Sequence, residues 1–364
     1  VNDVAELKGF IVVHAKAQGL RPATYQPLLD RITGDEDGAP GSWAVVWREA
    51  GEALEERGDL LGANRHYVMA RFPFVDGPSR ALAQERYLRA FGRWSTAQRD
   101  FEPVEVPVGD HVVRCWATGL SAAEPRPLVV ICGGIVSVKE QWAPTLRLAR
   151  RLGLAAVVTE MPGVGENTLP YDADAHRLFT GILDAVADRA DTARTTALAL
   201  SFSGHLALRR AAEDDRITGV ITAGAPVGAF FTGDWWRGLP RVTADTLAHL
   251  AGRSPDELDK FLPDLALTED HLDAVRVPVR YLASLRDEVV PPDDLALLRA
   301  HVRDLVVQEN DDVHGSPAHV LESRLWVVES LMRLTGRPGG RTALVGALRR
   351  ALRGFQNRRS HNDG

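Results

Sequence analysis

The chain has 364 residues, 45% of them hydrophobic and 25% charged, with a formal net charge of −6. These values describe an ordinary globular protein with room for one large domain and a smaller one, and the acidic balance argues against a nucleic-acid partner. No apolar run approaches the roughly 20 residues that span a bilayer and no signal-peptide pattern opens the sequence, so a cytoplasmic protein with no membrane partner is expected.

Residues 1–100 form the first expected unit, a helical N-terminal lid domain. Segments 43–57, 60–72 and 79–94 each carry apolar residues at helical spacing, with Gly or Pro between them and no repeated period. From residue 104 the pattern changes to short apolar strands alternating with helices: 104–108, 111–117, 128–132, 155–159, 195–200, 219–222, 277–283 and 305–308. Eight such strands predict an α/β domain over 101–336, built on a mostly parallel sheet covered on both faces. The regular alternation lapses between the strands at 219 and 277, which predicts a helical lid insertion at about 226–270. Its Trp235 and Trp236 either line an apolar pocket or anchor the insertion to the body.

The last unit, 337–364, reads as a basic amphipathic helix over 341–355 with a solvated charged face, then a polar end over 356–364 that should fray. Cys115 and Cys132 lie in apolar strand patterns and read as buried thiols of a reducing compartment. His205, His249, His271 and His301 do not have the spacing of a ligand set, so no metal and no cofactor is expected.

The chemistry concentrates at Ser201, where the apolar strand 195–200 breaks into a helix. A serine at such a break matches a nucleophile elbow, which lifts the hydroxyl clear of the sheet at a helix N-terminus. Ser203 is the rival. With Ser201 as nucleophile the flanking positions are the small Ala199 and Ser203, and Gly204, Ala207 and Ala211 face the sheet; with Ser203, the bulky His205 would occupy a crowded position. The bland alternative is a helix-capping serine.

Acid and base candidates follow in the chain order of that fold. Asp287, in the turn after the strand 277–283, is the expected acid, with Glu288 as its possible replacement; Asp293 or Asp294 is expected to cap the next helix. His314, just past the strand 305–308, is the expected base, whereas His319 falls in the first turn of the closing helix. The amide of Phe202 and that of Ile135 or Gly134, in the Gly-Gly loop after strand 128–132, are the expected oxyanion donors.

With a helical N-terminal region, the segments Val129–Glu140 and Val158–Glu166, the serine break, Gly238-Leu-Pro240, Asp287-Glu288 and His314, the chain resembles the α/β-hydrolase branch typified by the fermentation/respiration switch protein and 2,6-dihydroxypseudooxynicotine hydrolase. The likeness runs over roughly 43–334. It implies a Ser201–Asp287–His314 triad, no cofactor, and small-molecule substrates cleaved at esters or at carbon–carbon bonds beside ketones. The branch also contains polyketide chain-shortening hydrolases, and tailoring enzymes of tetronate pathways with this fold eliminate acetate instead. Two positions depart from the branch pattern: Ala199 and Ser203 replace glycines, and Val136 stands where an acid is often found. A noncatalytic binding protein on the same scaffold is the third reading, and apolar surfaces near the pocket and N-terminal helices offer places for a homodimer contact.

Overall fold

A computed structural model describes residues 2–336 and 339–362. Five helices come first: α1 (Val4–Ala17), α2 (Pro22–Arg31), α3 (Trp43–Glu56), α4 (Leu60–Arg71) and α5 (Pro78–Thr96). The last three are those read from the sequence. α1 escaped that reading because it is apolar on two faces: Leu7, Ile11 and Ala15 are buried, while Phe10 and Val13 lie on another side. Asp3 caps it, accepting from the amides of Ala5 and Glu6. The helices share a core around Leu7, Ile11, Trp43, Trp47 and Phe72, and the Trp43 indole donates to Met69 O at 2.8 Å.

Eight strands then form one sheet: β1 (Glu102–Val108), β2 (His111–Thr118), β3 (Pro127–Cys132), β4 (Ala155–Thr159), β5 (Asp191–Leu200), β6 (Ile217–Ala223), β7 (Val279–Ser284) and β8 (Leu305–Asn310). The order is β1-β2-β4-β3-β5-β6-β7-β8; β1 and β2 are antiparallel to their neighbours and the remaining pairs are parallel. Burial explains the sequence pattern. β3 and β4 are buried at every position, as strands covered on both faces must be, while β1 alternates. Pro103 and Pro107 are tolerated in β1 because it is an edge strand.

Between and after the strands lie α6 (Lys139–Trp142), α7 (Leu146–Arg151), α8 (Arg177–Ala185), α9 (Phe202–Ala211), α10 (Ala229–Thr232), α11 (Arg241–Ala251), α12 (Leu258–Phe261), α13 (Glu269–Asp273), α14 (Pro292–His301), α15 (Val320–Leu334) and α16 (Gly340–Asn362). The chain leaves β3 for β4 on one side, then crosses back to β5 on the other. Loops leaving β3 and β5 therefore diverge and open a crevice at the strand C-termini, where α/β folds bind ligands. The Gly133-Gly134 loop and Ser201 flank that crevice.

Two expectations need correction. Asp294 does not cap its own helix: its buried carboxylate accepts from the amides of Val227, Gly228, Ala229 and Phe230 and so caps α10. A carboxylate that satisfies several orphan amides of another segment outcompetes a local cap, and α14 starts on Pro291-Pro292. The basic helix is a solvated face only in part: Arg341 and Arg350 are exposed, but Arg349 pairs with the buried Glu329 at 3.0 Å and Arg353 reaches the buried Glu322 at 3.7 Å. α16 is helical to Asn362, and of the 356–364 segment expected to fray, 363–364 lie outside the described residues.

α9 approaches the sheet closely at Gly204, where an added Cβ would lie 2.0 Å from Thr222 Oγ1 and 2.7 Å from Ala225 Cβ. Gly204→Val should therefore cost about 3 kcal/mol or more through overpacking, read as a fall in the urea midpoint. An unchanged midpoint would contradict this packing of α9 on β6.

Candidate active site

Ser201 sits between β5 and α9 with φ 57° and ψ −131°, one of two non-glycine residues among those described with positive φ. Such a backbone costs on the order of 1–3 kcal/mol and persists only where the surroundings over-determine it. Here they do. The Ser201 amide donates to Ala223 O at 2.8 Å and its carbonyl accepts from Gly204 N at 2.8 Å, so β6 and α9 fix it from both sides. Ser203 is not in play: its buried hydroxyl lies 3.0 and 2.9 Å from Cys132 O and Leu200 O, which share its one proton.

Ser201 Oγ lies 3.1 Å from His314 Nε2, and His314 Nδ1 lies 3.0 and 2.9 Å from the two oxygens of Asp287. The carboxylate sets the tautomer, with Nδ1–H donating to Asp287 and Nε2 free to accept from the serine hydroxyl. Asp287 is itself held by the amides of Val289 and Val290, at 2.9 and 2.8 Å. The β7 and β8 loops are laced together by Leu285 N to Asn310 O and Arg286 N to Asp312 O, which brings residues 287 and 314 to one place. Glu288 serves the backbone instead, accepting from His314 N at 3.0 Å, and His319 is engaged by Asp312 at 3.0 Å. Burial disfavours the His314 imidazolium, but the Asp287 charge, its hydrogen bond and Glu288 together outweigh burial and raise the pKa above the usual 6.5.

Gly224 carries no sequence signal for function, yet its φ is +57° and a Cβ there would come within 2.7 Å of His314 Cε1. Only glycine combines that backbone with room for the ring. Across the crevice, a Cβ on Gly134 would be 3.1 Å from Ser201 Cβ, so the β3 loop passes directly over the serine. The Ile135 amide has no hydrogen-bond partner among the described residues, and the Phe202 amide opens α9 with no preceding turn to donate into. Gly134 donates no described bond either; its carbonyl accepts from Ser137 N.

Below this loop lies a buried charge cluster that the sequence did not announce. Lys139 Nζ contacts Glu140 and Glu160 at 3.1 Å and Glu166 at 2.6 Å, and Glu160 also accepts from the amides of Lys139 and Glu166. Burial pushes the Glu140 carboxyl up to about 7, against the pull of Lys139 and with the repulsion of Glu160. Breaking such a cluster by removing one partner costs about 3–5 kcal/mol, so it pins both the β3 and the β4 loops. Arg71 of α4, also buried, donates to Val136 O at 3.1 Å and ties the same loop to the N-terminal helices.

The site opens on a cavity of about 190 Å³. Its floor is Ser201, Phe202, Gly134 and Ile135; α1 covers it with Phe10, Val13, His14 and Ala17, and α11 adds Val242 and Thr243. Glu6 of α1 accepts from the amides of Arg241 and Val242 at the start of α11, which joins the two covering helices. Trp235 and Trp236 do not border the cavity. Trp235 is partly exposed and its indole donates to Val289 O at 2.9 Å, while Trp236 packs on the main core. Both anchor the insertion, one of them to the loop that carries Asp287.

Among the described residues, no group of His, Cys, Asp and Glu side chains could hold a metal ion, and no helix is long and apolar enough to cross a membrane. Cys115 and Cys132 are buried thiols; burial pushes Cys115 up to about 12.

No family model matches the chain, and no curated protein does. Among solved structures, AbyA5 is 50% identical over 96% of this chain and 100% of its own, with a TM-score of 0.92. A second AbyA5 structure is 51% identical over 88% and 97%, at 0.85. A 2,6-dihydroxy-pseudo-oxynicotine hydrolase is 18% identical over 89% and 95% at 0.72, a likeness of fold. The chain thus belongs to the same family as AbyA5 and has the fold of an α/β-hydrolase with N-terminal helices.

Proposed function

We propose that the chain is a serine hydrolase that cleaves an ester, or a carbon–carbon bond beside a ketone, in a small and largely apolar polyketide-like metabolite. The observation that carries this reading is the hydrogen-bonded line from Asp287 through His314 to Ser201, ending in an apolar cavity beside the Ile135 and Phe202 amides. His314 takes the Ser201 proton as Oγ attacks the carbonyl carbon; the carbonyl oxygen becomes an oxyanion facing the two amides. Collapse re-forms the carbonyl and breaks the bond to the leaving group, which receives the proton from His314. Water, activated by the same imidazole, then releases the acid from the acyl-enzyme.

A second reading is elimination, and the likeness to AbyA5 fits it. An imidazole beside an acidic C–H removes that proton, the electron pair forms an alkene, and an acyloxy group departs as carboxylate. Incubation with an O-acetylated substrate in ¹⁸O-water separates the two: hydrolysis places solvent oxygen in the released acetate, whereas elimination leaves acetate unlabelled and creates an alkene.

Ser201→Ala should lower kcat/KM for 4-nitrophenyl acetate by roughly 10⁴-fold or more, with a urea midpoint no lower than that of the parent. Retained turnover would place the chemistry elsewhere.

Attack requires neutral His314, so kcat/KM should fall as pH drops through the raised pKa of this ring. Asp287→Asn removes the charge and the hydrogen bond that raise it. The acid limb should move to lower pH while the plateau falls on the order of 10³–10⁴-fold; an acid limb that stays in place would detach it from His314.

A further inference from the structure

His14 is a second imidazole in the cavity, and the chemistry derived above leaves it unused. Phe10, Val13, His14 and Ala17 fall at the spacing of one helical face, and that face of α1 roofs the serine. Val13 Cγ1 would lie 3.1 Å from a Cβ on Gly315, so the roof rests on the loop that carries His314. The side chains nearest to His14 in this face are apolar. Its ring packs tilted against Phe72, with centroids 5.4 Å apart, and its nitrogens have no hydrogen-bond partner among the described residues. His14 is half-buried, so in the free protein its nitrogens face the cavity, where a bound ligand can meet a donor and an acceptor that no protein group occupies.

Burial first, then the positive charges of His314 and Arg71, lower the His14 pKa to about 4. His314 is balanced by Asp287, but the buried Arg71 donates only to the carbonyls of Pro73 and Val136 and has no carboxylate partner among the described residues, so the free protein presents a neutral ring near an unpaired cation, a place that favours a negatively charged ligand atom.

We propose that His14 is a specificity-determining residue that binds an anionic oxygen of the substrate, on the part remote from the bond that breaks. The proposal rests on the serine-enzyme reading, because it takes the scissile group to lie at Ser201. A carboxylate or enolate oxygen placed there favours the imidazolium, so the ring takes up a proton on binding and pairs with the anion. The substrate class follows: an apolar body with an acyl group at one end and one acidic oxygen at the other.

The test compares kcat/KM for the mono-4-nitrophenyl esters of succinate, glutarate and adipate with 4-nitrophenyl butanoate, pentanoate and hexanoate. At the chain length that reaches the roof, His14→Ala should lower the ratio of carboxylate to neutral ester about tenfold, mainly through KM, and His14→Gln, which keeps a donor, should restore part of it. A common factor for all six esters, or a ratio unchanged at every length, would overturn the proposal. A second readout does not need turnover. In Ser201→Ala protein at pH 6, the His14 ring resonances should move from neutral toward imidazolium when mono-4-nitrophenyl adipate binds and stay neutral with 4-nitrophenyl hexanoate. A ring that remains neutral with both contradicts the assignment. Failure of every ester to turn over, with the resonance shift present, would instead sink the serine-hydrolase reading and leave the His14 site standing.

Discussion

The backbone of Ser201 is the constraint on which the rest depends. An L-residue at φ 57° and ψ −131° is held only if the strand before it and the helix after it both dictate the bend. β5 does so through its buried place between β3 and β6, and α9 does so through the near contact of Gly204 with Thr222. The small residues along this face of α9 thus serve the hydroxyl, because a bulkier helix would stand off from the sheet and relax the turn. The departures from the glycine-rich form of the elbow fit this geometry: Ala199 is fully buried, and the Ser203 hydroxyl sits between two carbonyls at the ends of β3 and β5.

The remaining parts of the site are supported from outside it. Asp287 and His314 sit on loops that pair with each other beyond β7 and β8, so the distance between carboxylate and ring is set by backbone hydrogen bonds. The loop over Ser201 is fixed by the buried Lys139 cluster and by Arg71, and the latter makes the N-terminal helices part of the active-site wall. α1 completes the enclosure through Glu6 and the Val13 face. A wall of this kind excludes water and strengthens each polar contact made inside.

Much of the architecture was legible from residues alone, for stated physical reasons. Strands buried on both faces, such as 128–132 and 155–159, appear as unbroken apolar runs, and the three residues that the structure brings together each lie in the segment that follows a strand, β5, β7 or β8. What stayed hidden depends on contacts distant in sequence. α1 is apolar on two sides and so blurs its helical period, although it supplies the cavity roof. Asp294 looked like a cap for its own helix and caps another; Trp235 and Trp236 left pocket lining and anchoring both open, and the structure has them anchor while the neighbouring α11 supplies Val242 and Thr243 to the cavity. Gly224 is indistinguishable from any turn glycine until the His314 ring is seen beside it.

The convergence of Ser201, His314 and Asp287 on one reactive hydroxyl is tested most directly by phosphonylation with an alkyl fluorophosphonate, mapped by peptide mass analysis. The expected result is a single adduct on Ser201, none on Ser203, and a rate that collapses in His314→Gln protein of unchanged stability. Folded protein that resists the reagent, or an adduct on any other side chain, would contradict it.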